Sequence, residues 1–241
     1  MKAVVLIALS FVREQRWPIL VLLLWVWVLA LMGLKADFRT QRDDMLVVFK
    51  AVSVYVVFFS MFFGGSAIYA ERRSRRILAV ISKAISRQRY LSALVLGVAM
   101  ASAINCFALG LTGSWTLGAA GFPVPQIWFL MLCTLCACTL AGTVAMMFST
   151  FLNPFLAAGA SVAVLLSPTI PLAVHGDHRL AVEWAYAVPA FALTQTVSRV
   201  SFEAPGHIYW LPIVLAVAEI AGFWLVAAQI FSRVDIAVAV E

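Results

Sequence analysis

Residues 126–149 read QIWFLMLCTLCACTLAGTVAMMFS, a run without a charged residue that is long enough to cross a lipid bilayer. A membrane-spanning α-helix needs about 20 consecutive, mostly apolar residues. A strand of a membrane barrel would instead alternate apolar and polar residues over about ten positions, and this run does not alternate. The stretch therefore predicts a membrane-spanning helix.

Five other stretches have the same character, and all six predicted spans lie at about residues 18–34, 45–70, 91–113, 126–149, 155–174 and 209–231. The composition of the 241-residue chain agrees, since 64% of its residues are hydrophobic, 12% are charged and its mean hydropathy is +1.01. A soluble domain carries about 25% charged residues, so an ordinary soluble enzyme is excluded. We expect an all-α integral membrane protein with a single transmembrane domain over residues 1–241.

The basic residues are distributed unevenly between the connections. Seven of the 17 fall between spans two and three, namely Arg72, Arg73, Arg75, Arg76, Lys83, Arg87 and Arg89, and the next two connections hold none. Basic connections stay preferentially on the cytoplasmic side of a membrane. We therefore expect both termini in the cytoplasm, with eleven basic residues inside and five outside. The expected location is the inner (plasma) membrane of a prokaryotic cell, crossed several times.

The amino-terminal residues 2–16 are mostly apolar but include Arg13, Glu14 and Arg16 before the first span. Such a segment is typical of a short helix in the membrane surface, and a ragged start to the first span is the alternative. No small-residue cleavage pattern follows the first span, so we do not expect a secretory signal. The net charge of +6 lies beside the membrane, where anionic lipids attract it, and nucleic-acid binding is not expected.

Catalytic and metal-binding motifs are missing from the sequence. It contains neither a G-x-x-x-x-G-K-[ST] phosphate loop nor a G-x-S-x-G elbow, so we do not expect an enzyme that hydrolyses ATP by itself. Cys133 and Cys136 share a helix face, but no histidine or carboxylate joins them in that span to complete a metal site. His175, Asp177 and His178 match no metal motif and read as an outer loop. No metal or cofactor is therefore expected in this chain.

Polar residues inside a span are candidates for function because they are costly in hydrocarbon. Glu219 lies about halfway along the sixth span, and Asn105 lies in the third. Both are candidates for the transport pathway or for a polar contact between helices, and the sequence leaves these two roles open. Lys50, near the outer end of the second span, is expected to extend its ammonium group to the surface.

The longest polar stretch is residues 71–90, ERRSRRILAVISKAISRQRY. Ile77, Ile81 and Ile85 are four residues apart, a spacing that gives a helix one apolar stripe. A helix of this kind lies on lipid or docks into a groove of a partner protein, and a solvated basic loop is the alternative.

This order of elements resembles a known family. The entry helix, the two spans and a loop of the form E-R-…-I-L-…-S-K-A-I-S-R-…-Y are similar to the permease (transmembrane) subunits of ATP-binding cassette (ABC) transporters of the type 2 exporter family. The segment Ala187–Ala190, which reads AVPA, is similar to short outer helices of that family. Lys83 and Ala84 depart from the pattern, because a proline is common at this place.

The resemblance implies a coupling helix between spans two and three and short re-entrant outer helices over residues 181–206. It implies contact with a separate ATPase (nucleotide-binding) subunit through Glu71, Ser82, Lys83, Ala84, Ile85, Ser86 and Arg87. ATP and Mg would be bound by that subunit, and a second permease copy, as a homodimer or a sister chain, would complete the exporter. A secondary transporter independent of ATP and a membrane component of a metal or cofactor assembly system are the alternatives.

Overall fold

The computed structural model describes residues 2–35, 42–73, 86–119, 121–166 and 211–233. Within these ranges the chain forms seven α-helices and no strand. The helices are α1 (Lys2–Glu14), α2 (Arg16–Lys35), α3 (Arg42–Arg73), α4 (Arg87–Ala119), α5 (Val124–Ser149), α6 (Pro154–Leu166) and α7 (Leu211–Arg233). The all-helical class predicted from the sequence is confirmed for this part of the chain.

Four of these helices are long and apolar enough to cross a membrane, over Val52–Tyr69, Arg87–Ala119, Val124–Ser149 and Ala216–Arg233. Two shorter apolar stretches, Arg16–Val28 and Pro154–Leu165, lie in α2 and α6. Each of the six predicted spans overlaps one helix, but the fifth is described only as far as residue 166. Four candidate spans are thus present in the described part, and the count of six stays a prediction.

Local sequence explains where the helices begin and end. A turn at Gln15 separates α1 from α2, so the segment predicted over residues 2–16 is a helix that ends at Glu14. At the end of α4 the amide of Phe122 donates to the carbonyl of Leu117, and the amide of Gly121 donates to that of Gly118. These two bonds form a Schellman motif, and Gly121 takes the positive φ of 87° that this motif requires.

Helix α5 lies in the middle of the bundle, where it contacts α3, α4, α6 and α7. In an 18-residue window of its candidate span 78% of the residues are buried, whereas 22% are buried in the 18-residue candidate span of α7. Small residues let the backbones come together: a Cβ added at Gly64 of α3 would collide with the backbone of Gly142 in α5. Small residues at helix contacts are the usual way in which membrane helices pack closely.

The core shows that successive helices run in opposite directions. One cluster joins the start of α2 (Ile19), the end of α3 (Ile68), the start of α4 (Leu91) and the end of α7 (Phe231). A second cluster joins the middle of α2 (Val26) to the opposite parts of the other three helices, through Phe49, Leu117 and Ala216. We call the end that carries the first cluster the basic end, because Arg16, Arg87, Arg89 and Arg233 lie on the helix ends there.

Helix α1 packs across this basic end, against the beginning of α4. Phe11 is buried and lies directly against Gly97, where an added Cβ would be 2.7 Å from Phe11 Cδ1. On the other side of α1, Leu6 and Leu9 are exposed. The helix therefore holds the bundle through one face and leaves its second apolar face uncovered.

Candidate functional site

A polar contact joins α3 and α4 in the middle of the apolar bundle. The hydroxyl oxygens of Ser60 and Ser102 lie 2.6 Å apart, and either hydroxyl is able to donate. Both side chains are fully buried. Hydrogen bonds between membrane helices contribute about 0.6 kcal/mol on average, so we expect a small contribution of this bond to stability.

Asn105 lies one turn beyond Ser102 on α4 and is also fully buried. Its Nδ2 donates to the carbonyl oxygen of Ala101 at 3.1 Å. Its Oδ1 is buried and has no hydrogen-bond partner among the described residues. A buried acceptor without a donor costs about 1–3 kcal/mol. Of the two roles predicted for Asn105, pathway or interhelical contact, neither is decided, because its one observed bond stays within α4.

The four cysteines divide between two core clusters. Cys106 of α4 and Cys138 of α5 pack together with Val56. Cys133 lies in another cluster, and the half-buried Cys136 packs against that same cluster. All four thiols are free. Within the described ranges, no group of three or more His, Cys, Asp or Glu residues is placed to hold a metal ion.

Glu219 lies on α7, where it is half-buried. Its neighbours Ile220 and Phe223 pack against the core cluster around Met61 of α3 and Leu140 of α5. Its Oε2 atom is buried and finds no hydrogen-bond partner in the part of the chain that is described, and the same is true of Trp224 Nε1. Helix α7 therefore brings two unpaired polar groups against the bundle. No described contact joins Glu219 to the Ser60–Ser102 pair.

Only part of the predicted ATPase contact falls on described residues. Glu71 lies in the last turn of α3, and Ser82, Lys83, Ala84 and Ile85 lie outside the described residues. Ser86 directly precedes α4 and is exposed, and its Oγ accepts a hydrogen bond of 3.4 Å from the amide of Arg89. This is the position and the bond of a helix N-cap.

Arg87 makes a contact that sequence reasoning missed. Its Nη1 donates to the carbonyl oxygens of Phe231 at 3.2 Å and Ser232 at 3.1 Å, in the last turn of α7. These carbonyls have no partner within their own helix, and a cation beside them also interacts favourably with the helix dipole. The guanidinium thus connects the carboxyl-terminal part of the basic loop, residues 71–90, to the last turn of α7. That Arg87 also contacts an ATPase subunit stays a prediction.

For the other residues selected from the sequence, the described part of the structure gives no side-chain contact. His175, Asp177, His178, the segment Ala187–Ala190 and the predicted outer helices over 181–206 lie outside the described residues. Lys50 belongs to α3. Ser60 and Ser102 carry no distinguishing signal in the sequence, because serine is tolerated in a span wherever its hydroxyl bonds a carbonyl one turn earlier.

Comparison of the sequence with models of known families finds no match, and comparison with curated proteins finds none either.

Proposed function

We propose that the chain is the membrane-spanning permease subunit of an ABC exporter. It crosses the inner (plasma) membrane of a prokaryotic cell six times with both termini in the cytoplasm. It pairs with a second permease copy, or with a sister permease, to enclose a path. A separate ATPase subunit binds and hydrolyses ATP with Mg, and it docks on the basic loop between α3 and α4.

The main support for the proposal is the position of the two helix ends that this loop connects. Helix α3 ends and α4 begins at the basic end of the bundle, where α2 also begins and α7 also ends. The connection over residues 74–85 therefore leaves from and returns to the end at which the described helix ends carry most arginines. A cytoplasmic position of this end agrees with the preference of basic residues for that side.

The contact of Arg87 supports the proposal because it connects the loop to a distant helix. The loop re-enters the bundle at Ser86 and Arg87, and Arg87 donates to the last turn of α7. A force applied to the loop by a closing ATPase would reach α4 through its first turn and α7 through this contact. The coupled tilting of helices that alternating access needs has a physical route here.

Close packing supports the same mechanism. Gly64 and Gly142 bring α3 and α5 into backbone contact, and Ser60 bonds Ser102 of α4. Helices joined in this way move together, since packed cores switch between discrete arrangements and do not deform continuously. A unit of α3, α4 and α5 would tilt as one body around the path.

The two alternatives find less support in the described residues. A secondary transporter would present several charged or broken helices near the membrane centre, whereas the candidate spans of the described residues carry one carboxylate, Glu219, in the first turn of Ala216–Arg233. A metal or cofactor assembly component would use His175, Asp177 and His178, which lie outside the described residues.

The test is co-purification of the chain from its own membranes in a mild detergent, followed by identification of a stoichiometric subunit with a phosphate-loop motif and ATPase activity. Two variants each add one negative charge at an exposed residue that directly precedes a helix. These are Ser86→Glu before α4, and Asn153→Glu before α6 as the control. Arg87 is kept because replacing it would also release α7.

We expect the ATPase subunit with the unmodified chain and with Asn153→Glu, and a yield lower by about tenfold with Ser86→Glu, because like or unpaired charge in an interface costs several kcal/mol. An unmodified chain that purifies intact without any ATPase subunit would contradict the proposed function. Equal yields from both variants would contradict only the docking position.

A further inference from the structure

The turn between α1 and α2 forms a cleft that no part of the proposed transport mechanism uses. It has a volume of about 590 Å³ and is lined by Ser10, Arg13, Glu14, Arg16 and Trp17. Ligand sites in proteins have volumes of about 300–1,000 Å³, so the cleft is large enough for a polar headgroup. It lies at the basic end, since Phe11 and Ile19 on either side of it belong to the cluster that contains Phe231.

The polar groups of the cleft suit a singly charged phosphate ester. Two guanidinium groups and one hydroxyl are able to donate hydrogen bonds, and the guanidinium fork matches phosphate oxygens in a bidentate way. Two arginines and one glutamate leave a formal charge of +1, which balances one phosphodiester. The guanidinium of Arg16 lies over the ring of Trp17, 5.8 Å from its centre, and this stacking holds the group in place.

The surroundings of the cleft distinguish a lipid from a free anion. Trp17 is 67% exposed, and tryptophan is enriched where membrane helices pass the headgroup region. Exposed apolar side chains continue away from the cleft on both helices: Leu6 and Leu9 on α1, and Leu20, Val21 and Leu24 on α2. A phospholipid would place its phosphate between the arginines and its acyl chains along these side chains. Inorganic phosphate would leave them unused.

We infer that the α1–α2 cleft is a binding site for one anionic phospholipid of the leaflet at the basic end. The phosphate is held by Arg13, Arg16 and Ser10, and the acyl chains lie beside α2. Bound lipid would fix the angle between α1 and α2, and α1 in turn packs on α4 through Phe11 and Gly97.

The experiment is native mass spectrometry of the purified full chain in a neutral detergent, titrated with phosphatidylglycerol or with phosphatidylcholine of the same acyl chains. The test variant is R13Q/R16Q. The matched control is R89Q/R233Q, which removes two exposed arginines from the same end of the bundle. Inorganic phosphate at millimolar concentration is the competitor that separates a lipid site from a free-anion site.

We expect one phosphatidylglycerol to bind about tenfold more tightly than phosphatidylcholine. Both lipids carry the phosphodiester, but choline adds a positive charge beside Arg13 and Arg16 of the cleft, and contact between like charges is unfavourable. R13Q/R16Q would abolish this preference, R89Q/R233Q would keep it, and phosphate would not displace the lipid. Equal binding of the two lipids, equal loss in both double variants, or displacement by phosphate would each overturn the inference. If R13Q/R16Q does not fold, R16K replaces it as the test variant. R16K keeps the positive charge but loses the guanidinium fork, and we expect it to reduce the preference for phosphatidylglycerol to about threefold. An unchanged preference in R16K would also overturn the inference.

Discussion

Helices α5 and α7 are both apolar enough to span a membrane, yet they occupy opposite environments. In an 18-residue window of the candidate span of α5, 78% of the residues are buried, whereas 22% are buried in the 18-residue candidate span of α7. Gly142 of α5 lies against the backbone of α3, whereas a Cβ added at Gly222 of α7 would meet nothing within 4 Å. Apolar character alone therefore does not decide which helix forms the centre of the bundle. The close contact between small residues, such as Gly64 and Gly142, places α5 at the centre of the bundle.

The same comparison divides the bundle into a tight part and an open part. Helices α3, α4 and α5 share backbone contact and a buried hydrogen bond. Helix α7 packs on α5 through one face, leaves Val214, Val217, Leu225 and Val226 exposed, and is tied at its end by Arg87. If the transporter moves as proposed, α7 is the one of the four candidate spans with the fewest packing constraints on its motion.

The largest change in the free energy of unfolding is expected at Gly64, which contacts backbone, in comparison with Gly222, which does not. Gly64→Ala places a methyl group into the backbone of Gly142, and we expect the free energy of unfolding to fall by about 3 kcal/mol or more, since backbone cannot move aside as a side chain does. Gly222→Ala is the matched control and is expected to be neutral or slightly stabilising. Reversible unfolding in mixed detergent and denaturing detergent micelles measures both. Similar losses in the two variants would break the comparison.

A smaller effect is expected at the end of α7. Arg87→Gln removes the charged donor to the carbonyls of Phe231 and Ser232, and we expect a loss of about 1 kcal/mol, because the contact is partly exposed to solvent. Hydrogen exchange of the last turn of α7 should become faster in this variant. Arg89→Gln removes a neighbouring exposed arginine and should leave that exchange unchanged. Protection that persists in Arg87→Gln would show that the contact does not hold α7.

The hydrogen bond in the tight part is expected to contribute less. A double-mutant cycle of Ser60→Ala and Ser102→Ala should give a coupling energy of about 0.6 kcal/mol in the free energy of unfolding. Ser161→Ala removes a buried hydroxyl that bonds only Ala157 of its own helix, so a cycle that pairs it with Ser60→Ala should give no coupling. A coupling energy of zero between Ser60 and Ser102 would refute the interhelical bond.

The smallest effect is expected at Glu219. Since its Oε2 has no partner among the described residues, we expect Glu219→Gln to change the free energy of unfolding by less than about 0.5 kcal/mol. Transport would be reduced if Glu219 lines the path. A loss of stability of about 1 kcal/mol or more would instead show that it bonds a neighbouring helix.

The sequence was sufficient to predict the described helices and insufficient to predict the contacts between them. Long apolar runs such as 126–149 predict helices because lipid and protein interiors demand internal backbone hydrogen bonds. The same runs are apolar on all sides, so no polar face shows which side of α5 meets α3. The Gly64–Gly142 contact was therefore not predictable.

Long-range polar contacts were missed for a related reason. Arg87 and Phe231 are 144 residues apart in the chain. The helix dipole predicts that a cation is favourable at the carboxyl end of α7, but it does not predict which basic residue lies there. The basic character of the loop was visible, and its attachment to α7 was not. The polar pair Ser60–Ser102 likewise depends on how two helices align, which single serines do not reveal.

The most direct test of the proposed function is photo-crosslinking in membranes of the native cell from two exposed positions at opposite ends of the bundle. A photoreactive amino acid replaces Ser86 at the basic end or Val124 at the start of α5. The proposal predicts a crosslink from position 86 to a subunit that binds ATP, and none from position 124. Crosslinks to that subunit from position 124 only, or from neither position when the chain is fully inserted, would contradict it.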